Sequence, residues 1–314
     1  MSDPKTITFT LDGKDVTAAP GETIWQVAKR EGTTIPHLCW LDKPGYRADG
    51  NCRACMVEID GERTLAASCI REPNDGMVVK SQSHRAKSAQ KMVVELLVAD
   101  QPPQDKAHDQ LSSFWKWADV QEVNESRFPA RETYQTDASH PAMAVNLDAC
   151  INCNLCVRAC REVQVNDVIG MAYRGHEAKV VFDFDDPMGA STCVACGECV
   201  QACPTGALMP KSIVDEATQI GSRAADDEVR SVCPYCGVGC QITYKLRDGK
   251  IAYVEGAEGP ANENRLCVKG RFGFDYIDNP QRLTKPLIRK EGMEKGLNID
   301  PTNPLTHFRE ATWD

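Results

Sequence analysis

The sequence predicts an α+β protein composed of several small modules, and three observations lead to this prediction. The 16 cysteines of the 314-residue chain fall into four sets of four. Segments in which polar and apolar residues alternate flank Asp-Gly pairs, a combination typical of β-hairpins. Aromatic residues make up only 6% of the chain, which also contains 22 glycines and 18 prolines. This composition suits several small cores better than one large core.

Residues 1–82 are expected to form the first module, a small mixed α/β unit. The predicted elements are strands at 6–11 and 14–19 around Asp12-Gly13, a helix at 23–30 with Gly32 as its C-cap, a hairpin at 56–59 and 62–66 around Asp60-Gly61, and a closing strand at 77–80.

The first module carries one cysteine set, Cys39, Cys52, Cys55 and Cys69. The spacing resembles that of plant-type [2Fe–2S] ferredoxins, which have a β-grasp fold. Its longer first gap, of 12 residues, is more similar to the N-terminal domains of complex I, soluble hydrogenases and formate dehydrogenases. Small residues at 48, 50 and 54 would let backbone amides approach the cluster sulfides and tune its potential. A zinc site is the alternative, although such sites usually contain two CxxC pairs.

Residues 83–140 are predicted to be a helical connector. A helix at 84–98 would bury an apolar face made of Ala86, Ala89, Met92, Val93, Leu96 and Leu97. The aromatic run at 114–117 is expected to pack the connector against a neighbouring module, with anchoring of a partner subunit as the alternative.

In the families named above, this helix leads into a [4Fe–4S] cluster bound by one histidine and three cysteines. Residues 98–149 contain no cysteine, and a lone His108 cannot hold such a cluster. We therefore expect this cluster to be absent and His108 to be a surface residue.

Residues 141–215 are predicted to be a ferredoxin domain with two [4Fe–4S] clusters, because the run C-x2-C-x2-C-x3-C occurs twice. In such domains three thiolates of each run bind one cluster and the fourth binds the other. The expected ligand sets are Cys150, Cys153, Cys156 and Cys203 for one cluster, and Cys160, Cys193, Cys196 and Cys199 for the other. Pro204 follows the second run as in the bacterial pattern, whereas Arg161 follows the first. Segments 163–171 and 179–184 are expected to form a hairpin between the runs.

A polar linker at 211–229 is expected to lead into a small β-rich domain at 226–285. Its cysteines follow the pattern C-x2-C-x3-C-x26-C, which fits a further [4Fe–4S] cluster bound by Cys233, Cys236, Cys240 and Cys267. Alternating segments at 241–246 and 251–255 around Asp248-Gly249 predict a hairpin.

The run Cys-Pro-Tyr-Cys-Gly-Val-Gly-Cys at 233–240, followed by Cys-Val-Lys-Gly-Arg at 267–271, resembles the N-terminal cluster domain of molybdenum and tungsten bis-pterin oxidoreductases. The resemblance implies that Lys269 lies between cluster and pterin and helps electron passage; a surface lysine is the alternative. Residues 279–289 and 311–314 also resemble this family. Residues 286–314 would then be the start of a truncated catalytic domain.

Several function classes are disfavoured by the sequence. The net charge of −9 makes nucleic acid a poor partner. The N-terminus lacks the apolar run of a signal peptide, and no apolar stretch approaches the roughly 18 residues of a membrane span. A cytoplasmic location is therefore expected, where clustered cysteines indicate metal binding. We find no dinucleotide fingerprint, Walker loop or nucleophile elbow.

Taken together, the modules resemble the catalytic α subunits of soluble NAD-dependent formate dehydrogenases. The resemblance implies one [2Fe–2S] and three [4Fe–4S] clusters here. It also implies a molybdenum or tungsten bis-molybdopterin guanine dinucleotide in the full-length enzyme, and a partner subunit that binds FMN and NAD. This chain alone would carry electrons without oxidising formate. The alternatives are a complex I-like or hydrogenase-associated iron–sulfur subunit and a stand-alone electron carrier.

Overall fold

The computed structural model describes residues 6–279, 282–296, 298–300 and 302–314. The chain divides into two compact units, Met1–Arg271 and Phe272–Asp314. The larger unit contains all four cysteine sets.

The N-terminal module is a five-stranded sheet covered by one helix. Its strands are β1 (Ile7–Leu11), β2 (Lys14–Ala18), β3 (Met56–Ile59), β4 (Ala66–Ala67) and β5 (Val78–Lys80), in the order β2-β1-β5-β3-β4. Strand β1 pairs antiparallel with β2 and parallel with β5, the mixed arrangement expected of a β-grasp. Helix α1 (Ile24–Arg30) begins with a capping box between Thr23 and Gln26 and buries four residues in the sheet's core.

The second hairpin of this sheet differs from the prediction. Strand β4 begins at Ala66, where residues 62–66 were expected, and Ala67 pairs with Met56. The polar residues at 62–64 stay in a wide turn, because their side chains are partly or fully exposed.

The connector contains helices α2 (His84–Val98) and α3 (Ser113–Val120), with a 3₁₀ turn at Gln104–Lys106 between them. The predicted face of α2 is partly wrong: Met92 and Leu96 are exposed, whereas Ala86 is buried and Val93 and Leu97 pack against a hydrophobic cluster. The buried positions are Ala86, Gln90, Val94 and Val98. Gln90 belongs to this face because its amide donates to the carbonyl of Met56 in β3, 2.9 Å away, which satisfies a buried polar group.

The aromatic run of the connector packs inside the protein, which confirms the packing interpretation. Phe114 and Trp115 are buried in a hydrophobic cluster with Leu38 and Ala54 from the loop of the first cysteine set. Two connector helices therefore support that loop from one side.

The middle module is built on a short two-stranded sheet, β6 (Met143–Val145) with β9 (Leu208–Pro210). Helix α4 (Leu155–Arg158) continues into a π-helical turn at Ala159–Val163, and α5 (Glu198–Ala202) follows the second cysteine run. The predicted hairpin between the runs is present as β7 (Ile169–Ala172) and β8 (Lys179–Phe182). It starts later than expected because the π turn ends at Val163, and Val165 and Asp167 have positive φ angles. Short 3₁₀ turns lie at Leu147–Ala149, Gly175–Glu177, Met188–Ala190 and Lys211–Ile213.

The next module is an antiparallel sheet of β10 (Asp227–Val232), β11 (Gln241–Arg247) and β12 (Lys250–Gly256), followed by α6 (Val268–Phe272). The predicted linker at 211–229 is partly wrong, because 227–229 open strand β10, whose edge position leaves most of its side chains exposed.

The smaller unit pairs β13 (Leu287–Arg289) with β14 (Phe308–Glu310) and has 3₁₀ turns at Asp275–Asp278 and Pro304–Thr306. Pro280 and Gln281, part of the 279–289 segment used for the resemblance, lie outside the described residues. Among the described helices, none combines the length and apolar character needed to cross a membrane.

Candidate metal centres

The first cysteine set is gathered at one point beside the β-grasp sheet. Cys39 hydrogen bonds through its sulfur with Cys52 and Cys69, and Cys55 does so with Cys69. Hydrogen bonds from Cys52 and Cys69 lower the pKa of Cys39 to about 2, and the hydrogen bond with Cys69 lowers the pKa of Cys55 to about 7. The four thiols are thus adjacent.

Backbone amides also reach these sulfurs, as the small residues in the loop predict. The amides of Asn51 and Cys52 donate to Cys39, and the amide of Ala54 donates to Cys52. Gly50 has φ 66°, and a Cβ there would lie 2.9 Å from a side-chain carbon of Ile70. Four thiols with aligned amide donors fit a [2Fe–2S] cluster.

The two runs of the middle module fold into loops with the same backbone conformation. In the first loop Asn152 and Asn154 are left-handed, with φ 52° and 63°. The equivalent positions of the second loop, Ala195 and Gly197, have φ 55° and 68°. In each loop the amide two residues after the first cysteine donates to that cysteine's sulfur at 3.4 Å. A left-handed alanine is unusual, so this conformation reflects the loop's shape.

Two cavities lie beside these loops, and each is lined by four cysteines. One is lined by Cys150, Cys153, Cys156 and Cys203 together with apolar side chains. The other is lined by Cys160, Cys193, Cys196 and Cys199. Each cavity therefore takes three cysteines from one run and the fourth from the other, which is the arrangement that the spacing predicts. Four thiols around a cavity of this kind fit a [4Fe–4S] cluster.

Electrostatics groups the same thiols. Burial raises the pKa of Cys153, and the next contribution is the charge of Cys203. Burial likewise raises the pKa of Cys196, with contributions from Cys193 and Cys160. Burial also raises the pKa of Cys150 to about 11.

The last cysteine set lies at the start of β11 and before α6. The amide of Cys233 donates to the carbonyl of Cys240 at 2.8 Å, which closes the loop between them. Burial raises the pKa of Cys240, and the charges of the other three cysteines of the set contribute to the shift. Cys236 and Cys267 are exposed, and so is Lys269. The set fits a cluster that lies at the surface of this unit.

In the described part of the chain, no three His, Cys, Asp or Glu side chains are arranged around a single metal ion. In a [4Fe–4S] cluster each thiolate binds its own iron, so the thiolates stand further apart than around one ion.

Two buried arginines connect the modules, and neither was predicted from the sequence. Arg158 lies between Cys156 and Cys160 and donates to the carbonyl of Cys39, 2.6 Å away in the first module. Arg271 lies four residues after Cys267 and donates to the carbonyl of Cys196 at 3.2 Å. Both arginines could have been found from the sequence, because each is a charged residue within a cysteine motif.

Arg271 is part of a buried polar network that joins three modules. It pairs with Glu198 at 3.2 Å, and both side chains are only 2% exposed. The other carboxylate oxygen of Glu198 accepts from the hydroxyl of Tyr46 at 2.9 Å. Burial and the Glu198 carboxylate raise the pKa of Tyr46, so the phenol stays protonated as the donor.

His108 is fully buried, so the expectation that it lies at the surface is wrong. Its Nδ1 lies 2.7 Å from the carbonyl oxygen of Gly206, to which it donates, and burial lowers its pKa. Gly206 has φ 78°, and a Cβ there would collide with Asp109. The connector therefore packs closely on the segment that follows Cys203.

Three family models match the chain in the order of its modules. They are the 2Fe-2S iron-sulfur cluster binding domain over residues 4–84, the 4Fe-4S dicluster domain over 149–207, and the molybdopterin oxidoreductase Fe4S4 domain over 226–279.

The chain is also similar to three named proteins. It is 33% identical over 291 residues to NADPH-Fe(3+) oxidoreductase subunit alpha of Geobacter sulfurreducens, covering 90% of this chain and 33% of that protein. It is 29% identical over 350 residues to a putative formate dehydrogenase of Staphylococcus haemolyticus, covering 97% of this chain and 33% of that protein. A chain in the crystal structure of an NAD⁺-reducing [NiFe]-hydrogenase is 30% identical, with a TM-score of 0.58 over 65% of this chain and 87% of that chain.

The chain spans about a third of the length of the curated relatives it matches. Its three modules, their order and these similarities are nevertheless consistent with one another. The chain belongs to the family of iron–sulfur oxidoreductases that includes molybdopterin oxidoreductases and complex I-like proteins.

Proposed function

We propose that this chain is the iron–sulfur electron-transfer portion of a formate dehydrogenase. It would pass electrons between a molybdenum or tungsten bis-pterin site, where formate is oxidised or CO₂ reduced, and a partner subunit that carries FMN and reduces NAD. The observation that carries the proposal is the last cysteine set. It follows the two front cluster modules, matches the molybdopterin oxidoreductase domain, and lies at the surface of its unit. The relative named as a putative formate dehydrogenase supports the choice of substrate.

The proposed cofactors are one [2Fe–2S] cluster and three [4Fe–4S] clusters, bound by the four cysteine sets described above. Bound clusters supply one-electron transfer with small structural change. The protein's own part is to hold the thiolates and to aim amide donors at the sulfurs, which tunes the reduction potential. The bis-pterin cofactor would be bound by sequence outside this chain. We place the enzyme in the cytoplasm.

A complex I-like or hydrogenase-associated electron-transfer subunit is the second candidate. The similarity to a chain of the NAD⁺-reducing [NiFe]-hydrogenase favours it, because that likeness covers 87% of that chain. A stand-alone carrier without catalytic chemistry is a third candidate.

The test uses the full-length enzyme with its partner subunits, purified without oxygen. Metal analysis should give about 14 iron atoms for this part of the chain, and reduction should give one [2Fe–2S] and three [4Fe–4S] EPR signals. Formate should then reduce a viologen dye, whereas H₂ should not. If the clusters are intact and the dye is reduced with H₂ or NADH but not with formate, the formate assignment is rejected and the second candidate is favoured. Stoichiometric zinc with little iron would reject cluster binding altogether.

Lys269 would assist electron passage to the pterin from its place two residues after Cys267. Lys269→Gln should lower formate-driven dye reduction at least tenfold while dithionite still reduces all clusters. Lys250→Gln, an exposed lysine of the same module, is the matched control and should leave the rate unchanged. Equal rates for both variants would make Lys269 a surface lysine.

A further inference from the structure

The structure assigns to Arg158 the role of a positioning residue that joins the [2Fe–2S] loop to the first [4Fe–4S] loop and raises the reduction potentials of both sites. We propose this role from four contacts of one side chain. It rests on the proposed cluster binding, but not on formate as the substrate.

Arg158 binds backbone carbonyls of two modules. Its guanidinium donates to the carbonyls of Cys39 and Arg47 at 2.6 Å each, and both belong to the first module. The same group donates to the carbonyl of Cys153 at 3.3 Å in its own module. Cys39 and Cys153 are ligands of two different clusters in the proposed arrangement. One side chain therefore bonds to the backbone of a ligand on each side of the junction.

The two modules also pack closely around Arg158. The side chain of Arg158 is 3% exposed, and Gly45 packs against Val163 across the same junction. Ile151, which follows Cys150, and Cys52 contribute to one hydrophobic cluster. The two sites thus adjoin directly, with no further cysteine set between them in the described residues.

Arg158 and Asp49 place opposite charges near the two sites. Arg158 pairs with Asp49 at 3.2 Å, and the Asp49 side chain is 15% exposed. A buried cation close to a cluster stabilises the reduced form, because that form carries the more negative charge, and so it raises the potential. A carboxylate at the same place acts in the opposite direction. Arg158 and Asp49 should therefore shift the potentials with opposite signs.

The test is an EPR-monitored redox titration of the holoenzyme and four variants. Arg158→Gln should lower the potentials of the [2Fe–2S] site and of one [4Fe–4S] site, and Asp49→Asn should raise them. The potentials of Arg158→Lys, which keeps the charge, should lie between those of wild type and of Arg158→Gln. Arg271→Gln is the matched control. It removes the equivalent buried arginine at the other junction and should leave the [2Fe–2S] potential unchanged.

A second readout reports the distance between the sites. In wild type, reduction of the neighbouring [4Fe–4S] site should speed the spin relaxation of the [2Fe–2S] signal, and Arg158→Gln should weaken this effect. A merely structural role would shift the potentials in one direction for Arg158→Gln and Asp49→Asn alike, and this would overturn the inference, as would no shift in either. If Arg158→Gln fails to load iron, the opposite responses of Asp49→Asn and Arg158→Lys decide the question. Absence of the [2Fe–2S] signal from wild type would instead reject the proposed cluster binding.

Discussion

The buried pair between Arg271 and Glu198 allows a quantitative prediction about how the modules are held together. Replacing Arg271 with Met removes the cation while Glu198 stays 2% exposed and keeps its hydrogen bond from Tyr46. Breaking a buried pair in this way destabilises a protein by about 3–5 kcal/mol, because one charge is left uncompensated. Arg271→Met also leaves the carbonyl of Cys196 without its donor.

Native-state hydrogen exchange measures this effect without requiring reversible unfolding. A suitable probe is the amide of Gly256, which donates at 2.9 Å to Gln201, another partner of Arg271. A loss of about 3–5 kcal/mol corresponds to a fall in protection of two to nearly four powers of ten, at 1.36 kcal/mol for each. Arg271→Met should show this fall.

The double variant Arg271→Met/Glu198→Gln should recover part of the protection, because the uncompensated charge is then gone. Lys80→Met, which breaks an exposed pair with Asp60, should leave the protection of Gly256 close to that of wild type, because exposed ion pairs contribute little to stability. A fall of less than tenfold in Arg271→Met, or simple additivity in the double variant, would refute the reasoning.

Two further predictions concern other parts of the structure. Cys160→Ser should eliminate the [4Fe–4S] signal of the site that also contains Cys193, although Cys160 belongs to the other run; selective loss of the other signal would disprove the crossed arrangement. His108 is held neutral by burial, so its pKa lies below the ordinary value of 6.5. Its contribution to stability is therefore complete above about pH 6.5 and is lost as the pH falls toward the lowered value. Chemical denaturation at several pH values should therefore show that His108→Gln loses less stability below pH 6.5 than wild type does. The exposed His176→Gln control should match wild type, and an unchanged slope in His108→Gln would exclude this role.

Much of the site could be predicted from the sequence because cluster binding imposes strict spacing on cysteines. The grouping of thiols around two cavities agrees with that spacing. The β-grasp strand order agrees with the resemblance to ferredoxins, and the hairpin between the runs agrees with the strand-like residues there. The left-handed conformation of Ala195 could not be predicted, because alanine carries no preference for it.

Tertiary contacts explain the remaining differences. Gln90 turns the buried face of α2 away from the apolar residues Met92 and Leu96, because its amide satisfies a carbonyl of the sheet. Periodicity counts apolar residues and cannot detect such a bond. Arg158 and Glu198 are likewise buried with partners from other modules, which a pattern within one module cannot reveal.

The crossed grouping of the cysteines also has a consequence for chain topology. Cys150 and Cys203, at the two ends of the middle module, meet at one cavity, while Cys160 and Cys193 meet at the other. Metal binding would therefore close two loops, one nested inside the other, and the outer closure is entropically easier once the inner one has formed. If these cysteines are the ligands, neither run would complete a site without the other. The module would then be indivisible: a break between Cys160 and Cys193 that separated the two halves would leave both sites one ligand short.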